Sequence, residues 1–483
     1  VTDNAPEPIN LQHRLEGHLR HIVQLLEKHR LVETMVERDR ASRRHALIES
    51  LVHRQHLVEL QLKLRGLHPA DIAYILEALP LENRLLIWGQ IQDERGGEVL
   101  LEVSDAVRDS LIEALERSML LQALGQLDAD DLAALAEAIP DDVLLEVSQT
   151  LPARDRDWLQ TTMAYPEDTV GHLMSQDVLT VRDDYRVEQV LGMLRGRDDL
   201  PYNTDSLFVV DARNLFKGVL PLRALLLNDP QTRIADLMVT DPIVFHPNGA
   251  ADDAARAFER YDLLSAPVVN ERGKLIGRLT VDAVVDFIRE EAEADALNQA
   301  GLRGDEDLFA PIWASARNRW LWLSVNLCTA FIASRVIGLF EGTIIQIVAL
   351  ATLMPIVAGI GGNTGNQTTA LVVRGLALGE ITPQNTWHLV FKELGVGLLN
   401  GTVWGATVGF LAYLLYWNLE LGAVMAAAML LNLLLAALVG TVIPLTLNWM
   451  GRDPALGSSV LLTFMTDSMG FFIFLGLATV FLL

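Results

Sequence analysis

The sequence predicts a multidomain membrane protein: an all-α helical-repeat domain, an α/β module in two copies, an acidic connecting helix and a five-helix α transmembrane domain. Three observations predict it. Residues 313–483 hold six basic and six acidic side chains within long apolar runs, so the whole net charge of −24 lies in residues 1–312. Two unrelated internal duplications divide those 312 residues. A glycine- and amide-rich heptapeptide, GGNTGNQ at 361–367, then sits inside one of the apolar runs.

The first domain is expected over residues 1–164. Its apolar residues recur at three- and four-residue spacing, as in amphipathic helices, with few strand-like alternations. LHPADIAYILEALP at 67–80 returns as LDADDLAALAEAIP at 127–140, and VLLEVS occurs at 99–104 and 143–148, which is the signature of stacked helical hairpins. The basic stretch RDRASRRH at 38–45 is interspersed with Glu33, Glu37, Asp39 and Glu49 and reads as a solvated helix face. His18 with His21, and His53 with His56, have helical spacing, but no cysteine or carboxylate pattern completes a zinc site around them.

Residues 165–230 and 231–285 are expected to form the α/β pair. HLMSQDVLTV (172–181) matches DLMVTDPIVF (236–245), and FVVDARNLFKGVLPLRALL (208–226) matches PVVNERGKLIGRLTVDAVV (267–285). Each copy reads strand, helix, strand, turn, strand, helix. This resembles a tandem pair of cystathionine-β-synthase (CBS) domains, a regulatory module that senses nucleotides or ions.

A charged helix over about 286–312 links the pair to the apolar third. Asp282, Asp286, Glu290 and Glu293 recur at intervals of four, four and three, so they form one acidic stripe. Like charges at that spacing destabilise an isolated helix, so the stripe is expected to meet positive charge.

Five apolar segments, near 319–340, 344–373, 387–416, 422–447 and 456–482, are long enough for a hydrocarbon core, which needs about 20 helical residues. Arg317 and Arg319 precede the first, Arg374 and Lys392 lie between the second and third, and Arg452 lies between the fourth and fifth. The positive-inside tendency puts the N-terminus in the cytoplasm and the C-terminus outside. An N-terminal stretch without an apolar signal segment gives the same orientation. The lone Cys328 forms no intrachain disulfide, which suits a reducing cytosol and a bilayer.

Asp467 falls about eleven residues into the last segment, near mid-bilayer, where insertion costs about 2.5–3.5 kcal/mol. Ser459, Thr463 and Asp467 stand at i, i+4 and i+8, a polar stripe that fits a pore wall or a helix seam. The heptapeptide fits a water-filled path if the helix loosens there, bringing carbonyls and the amides of Asn363, Asn366 and Gln367 to it. Close helix packing accounts for Gly361, Gly362 and Gly365, but it does not call for three amides.

With these residues in view, the chain resembles the MgtE magnesium channels and transporters over essentially its full length. Pro355 to Gln367 and the stretch from Asp453 (DPAL) to Gly470 (TDSMG) carry the resemblance. It implies a homodimer in a bacterial inner membrane, with one pore on the two-fold axis. There, Asp467 of both subunits would bind hydrated Mg²⁺ and Thr463 would add its backbone carbonyl. It also implies that Mg²⁺ acts as a regulator, bridging acidic cytoplasmic surfaces so that the connecting helix plugs the pore. The residues carried over are Asp286, Glu291 and Asp295 on that helix, Asp453 in the loop facing it, and Asp252, Asp253 and Asp262 in the second CBS copy; Glu290 is added as a neighbouring carboxylate. Ala283 and Ala294 stand where relatives carry carboxylates. ATP is a possible further ligand of the CBS pair, although Leu263 stands where nucleotide-binding relatives stack an aromatic on adenine, so any nucleotide effect stays open.

The acidic surface repels nucleic acid and anionic lipid and gathers divalent cations. The sequence contains no P-loop, nucleophile elbow or metalloprotease motif, so an enzyme is not expected. Two alternatives stay open: a carrier for Co²⁺ or Ni²⁺ or a cation–proton exchanger, and a non-conducting CBS receptor. The apolar third offers selective transition-metal chemistry only His388 and Cys328.

Overall fold

The computed structural model describes residues 11–38, 57–91, 95–197, 199–201, 203–299, 301–302, 306–455 and 457–483. Most of the basic stretch at 38–45, together with Asp39, Glu49, His53 and His56, lies outside them. The chain divides into two compact units, one of residues 1–289 with Asp307–Ala310, the other of residues 290–306 with 311–483.

The first unit begins with α1 (Leu11–Arg38) and continues through short helices: α2 (Pro69–Glu77), α3 (Leu81–Trp88), α4 (Gly96–Glu102), α5 (Asp105–Ala114), α6 (Arg117–Leu124), α7 (Ala129–Leu135), α8 (Asp141–Thr150) and α9 (Ala153–Thr162). Alternate helices stack, α2 on α4, α3 on α5, α4 on α6, α6 on α8 and α7 on α9, around a core that includes Ile75, Leu100, Leu124 and Leu132. Because each helix is only two or three turns long, its terminal carbonyls form a large fraction of its backbone.

In three of the four hairpins an arginine satisfies such carbonyls. Arg84 Nε donates to Leu76 O at 2.8 Å, Arg108 Nε to Leu100 O at 3.0 Å and Arg156 Nε to Ser148 O at 3.0 Å, each eight residues back. Each arginine stands four residues after the N-cap of its helix, Pro80, Ser104 or Pro152. The spacing places a guanidinium fork over the end of the preceding helix, where the dipole also favours a cation. Arg84 goes further: fully buried, it also donates to Ser110 Oγ and makes a two-pronged ion pair with Asp307 at 2.5 and 2.9 Å.

The α/β pair follows. Copy one contains α10 (Val170–Leu173), β1 (Thr180–Arg182), α11 (Val187–Arg195), β2 (Ser206–Val210), β3 (Phe216–Pro221) and α12 (Leu222–Leu227), with β1 parallel and β3 antiparallel to the central β2. Copy two contains α13 (Ala251–Tyr261), antiparallel β4 (Ser265–Val269) and β5 (Leu275–Thr280), and then α14 (Val281–Gln299); its first strand is reduced to one bridge, Phe245 to Val268. The hairpins match in detail. Asp211 Oδ1 accepts from the amides of Arg213 and Leu215, and Asn270 Oδ1 from those of Arg272 and Lys274. Asn214 and Gly273 take the left-handed conformation at the same turn position. The two copies meet at these turns, through a bridge between Leu215 and Lys274 and a shared core of Phe208, Val210, Val269 and Leu275.

The second unit contains α15 (Ile312–Gly338), α16 (Glu341–Gln346), α17 (Ala349–Ala377), α18 (Thr386–Tyr416), α19 (Leu419–Trp449) and α20 (Ser458–Leu482). Four of these, α15, α18, α19 and α20, are long and apolar enough to cross a membrane. The expected second span differs from them. It is split into α16 and α17, and although α17 has 29 residues, about 43 Å at helical rise, the heptapeptide and following threonines lower its hydropathy. The helix α18 carries glycines at every fourth position, Gly397, Gly401, Gly405 and Gly409, and α19 lies against them. A Cβ on any of the four would come within 2.6–2.9 Å of atoms of that helix.

The Arg84 ion pair carries a prediction. Arg84→Ala would strip Asp307 of its partner and leave the Leu76 carbonyl without its donor, a loss on the order of 3–5 kcal/mol for a buried pair broken from one side. Amide hydrogen exchange in α2 and α3 is therefore expected to quicken markedly. Unchanged protection there would show the pair to be dispensable.

Candidate ion site

The pore-wall stripe lies on one continuous helix. Ser459, Thr463 and Asp467 all fall in α20, with Thr463 exposed and the other two partly so. The helix starts after Gly457, whose positive φ of 77° turns the chain from the loop into the first turn. Among the described residues, Asp467 has neither a hydrogen bond nor an ion pair within the chain, so its carboxylate is available to a ligand or to water. The Thr463 hydroxyl donates back to Ser459 O at 2.8 Å. Its carbonyl lies inside the helix and accepts from Thr466 Oγ1 at 3.2 Å, an arrangement suited to reaching an ion through water.

The heptapeptide does not loosen its helix. Residues 349–377 are α-helical throughout, so the expectation of freed backbone carbonyls at Gly361–Gln367 is overturned. The reason lies in the neighbours, because the glycines are held by packing. A Cβ at Gly361 would fall 2.3 Å from Asn432 Nδ2, and one at Gly365 2.6 Å from Leu462 Cδ1. Gly362 is half-buried, with Thr466 Oγ1 3.9 Å from where its Cβ would stand. Asn363, Asn366 and Gln367 lie at i, i+3 and i+4 on the opposite, exposed side. The motif thus has a glycine face that admits neighbours and an amide face left open.

Sequence reasoning passed over two buried polar groups beside the motif. Glu393, only 4 % exposed, pairs with Lys392 Nζ at 2.6 Å and accepts from Thr368 Oγ1 at 3.3 Å. Asn432 is fully buried in α19 and donates to Val357 O at 2.9 Å. Ionisable or amide side chains inside apolar runs were the available signal.

The acidic residues expected to sense cations are spread over several elements. Asp252 and Asp253 occupy the first turn of α13, where they complement the helix dipole, and Asp253 pairs with Arg256 at 2.8 Å. Asp262 caps the far end of that helix in the left-handed conformation. On α14, Asp282 accepts from the Asn203 amide, and burial holds the Asp286 carboxyl above its usual range, with nearby Arg289 opposing and Asp282 adding to the shift. Glu290, Glu291 and Asp295 follow on the same helix, and Asn298, one turn beyond Asp295, donates to Asp453 Oδ2 at 3.4 Å. Asp453 Oδ1 accepts from Ala455 N at 2.7 Å, which fixes the loop ahead of α20. The indole of Trp322 lies beside both that loop and the end of the connecting helix. It comes 3.0 Å from the Cβ position of Gly457 and 3.7 Å from that of Gly301. Among the described residues no three His, Cys, Asp or Glu side chains converge on a common metal position.

The helical domain holds a further acidic group. Asp130 accepts from Trp158 Nε1 at 2.6 Å and from Ser175 Oγ and the Gln176 amide, which ties α7 to the start of the α/β pair. Burial, with Asp128, Asp130 and Glu98 close by, pushes Asp131 up to about 7. A hydrogen bond with Glu167, together with burial, pushes Glu137 up to about 7 as well.

A carboxyl with a raised folded-state pKa keeps a proton that the unfolded chain releases from about pH 4 upward, so stability falls as pH rises through that window to about 7. With divalent cations chelated, the thermal midpoint of the helical domain is expected to rise on going from about pH 8 to about pH 5. Asp131→Asn should flatten that slope. A slope equal to that of the parent protein would exclude Asp131 as its source.

Comparison with known proteins agrees with this architecture. The divalent cation transporter MgtE model matches residues 354–477, the MgtE intracellular N domain matches 67–168, and CBS domains match 170–229 and 234–290. The magnesium transporter MgtE of Thermus thermophilus is 32% identical over 428 residues, 86% of this chain and 93% of its own. That of Bacillus subtilis is 29% identical over 416 residues, 86% and 92% of the respective chains. A crystal structure of the cytosolic domain of the Mg²⁺ channel MgtE in complex with ATP covers 50% of this chain and 98% of its own, at 29% identity and a TM-score of 0.44. Helical N domain, CBS pair and apolar helical domain thus match in the same order along the chain, which belongs to the MgtE family of divalent cation transporters.

Proposed function

We propose that the chain is a Mg²⁺-selective, Mg²⁺-gated homodimeric channel for Mg²⁺ uptake across a bacterial inner membrane. One observation carries the reading: Asp467 stands on a long apolar helix without a hydrogen-bond or ion-pair partner among the described residues, below Ser459 and Thr463. A carboxylate so placed needs water, a cation or a second subunit around it. Two copies brought together on a two-fold axis would set two such carboxylates at one level, and a cation between them offsets their repulsion. Mg²⁺ keeps its octahedral water shell tightly, so contact through water suits a carboxylate flanked by a helical carbonyl and hydroxyl. The open amide face of Asn363, Asn366 and Gln367 supplies further uncharged partners for that shell.

Charge supports the rest of the reading. Arg317, Arg319, Arg374, Lys392 and Arg452 orient the N-terminus to the cytoplasm and the C-terminus outside, provided that α17 also crosses. Internal Mg²⁺ is then the regulator, acting on Asp286, Glu290, Glu291 and Asp295 of the connecting helix, on Asp453 and on Asp252, Asp253 and Asp262. Among the described residues no three carboxylates converge, and a regulatory ion in this reading is shared through its water shell by carboxylates of separate elements. ATP at the CBS pair would bind without an aromatic stacking partner at Leu263, which packs against the core of the second CBS copy.

Mg²⁺ flux through purified protein in liposomes tests the pore. Asp467→Ala should remove most of it, and equal flux in mutant and parent would overturn the assignment. Gating is tested separately: a chain with Asp286, Glu291 and Asp295 changed to Asn, Gln and Asn should stay conducting at millimolar internal Mg²⁺. Closure at the parent concentration would exclude the connecting helix as sensor.

A further inference from the structure

The amide of Asn432 sits at the crossing of three helices. It is fully buried on α19, with Ala428, Met429, Leu433 and Ala436 of the same helix buried around it. Its Nδ2 donates to the Val357 carbonyl of α17 at 2.9 Å, which fixes the orientation of the amide. Its Oδ1 is buried without a hydrogen-bond partner. Two glycines make the room it occupies. A Cβ at Gly361 would stand 2.3 Å from Nδ2, and one at Gly470 would stand 2.9 Å from Oδ1.

These two glycines are not arbitrary positions. Gly361 opens the heptapeptide whose amide face is exposed, and Gly470 stands three residues beyond Asp467 on α20. A small apolar side chain in the slot would leave no buried acceptor unpaired, so burial alone does not account for an amide there. What the amide adds is direction. It bonds one helix and keys into the groove of another, and so fixes their separation and rotation.

We propose that Asn432 is a positioning residue for ion selection: its amide, keyed between Gly361 and Gly470 and bonded to Val357, sets how the Asp467 helix stands against the heptapeptide helix. The geometry with which Asp467 meets a hydrated cation then depends on it. This rests on the reading of Asp467 as the ion site.

The test compares Mg²⁺ and Ca²⁺ flux in liposomes for the parent chain, Asn432→Leu, Gly470→Ala, the double variant Asn432→Ala with Gly470→Ala, and Asp467→Asn. Thermal midpoints are recorded for each. Asn432→Leu overfills the slot and should lower the thermal midpoint, and in the folded protein its Mg²⁺/Ca²⁺ flux ratio should fall by about tenfold or more, the order expected when a positioned group shifts by a fraction of an ångström. Gly470→Ala should lower the midpoint, and the double variant should restore it by vacating the slot, while selectivity stays impaired in both. A parent-like flux ratio in folded Asn432→Leu and in the double variant would overturn the proposal. If Asp467→Asn retains parent flux and ratio, the ion-site reading itself fails and the inference with it. Loss in Asp467→Asn together with parent-like Asn432 variants removes this inference alone.

Discussion

A carboxylate in the middle of an apolar helix constrains everything built around it. Asp467 is costly to leave facing hydrocarbon, and among the described residues it has no ion-pair partner. The apolar unit is arranged accordingly. The helices α17, α19 and α20 pack tightly through Gly361, Gly365, Gly440 and Gly470, while Thr463 and the motif amides stay open. The glycine ladder of α18 extends the same logic outward, fastening α19 from behind by backbone contact.

The first unit solves a different problem with equally local means. Very short helices leave many terminal carbonyls, and in a highly acidic domain the available cations are few. Arg84, Arg108 and Arg156 are each placed on the carbonyl eight residues back, while the carboxylates stay mostly outside. Asp130 reverses the pattern, collecting donors from Trp158, Ser175 and Gln176 at the start of the α/β pair. Its neighbour Asp131 remains without comparable donors, which is why burial dominates its titration.

Much of this architecture is legible in the sequence because it rests on period and repetition. The duplicated LHPADIAYILEALP stretch marks the stacked helices, and the paired D-A-R-N-L and N-E-R-G-K turns mark the two hairpins. The Ser459, Thr463, Asp467 spacing already places the three on one helical face. What the sequence conceals is the use to which a glycine is put. Gly361 and Gly365 read as helix-loosening residues, yet the helix runs on unbroken, because the missing side chains are replaced by Asn432 and Leu462 from neighbours about 70 and 97 residues away in the chain. No local pattern encodes that complementarity. Asn432 itself, one amide in a run of leucines and alanines, gives no hint of the helix it bonds. The arginine caps were in principle readable, as a Pro or Ser followed four residues later by Arg, but three instances with different flanks resemble surface charge until the helix ends are known.

The inward-turned arginines also shape what the domain presents to solution. A guanidinium committed to carbonyls of its hairpin has few donors left, and Arg84 and Arg108 give theirs to carboxylates of the same unit, Asp307 and Asp105. These arginines are therefore engaged before any ion approaches, and a cation drawn to the acidic excess of residues 1–312 competes with them only for those two carboxylates.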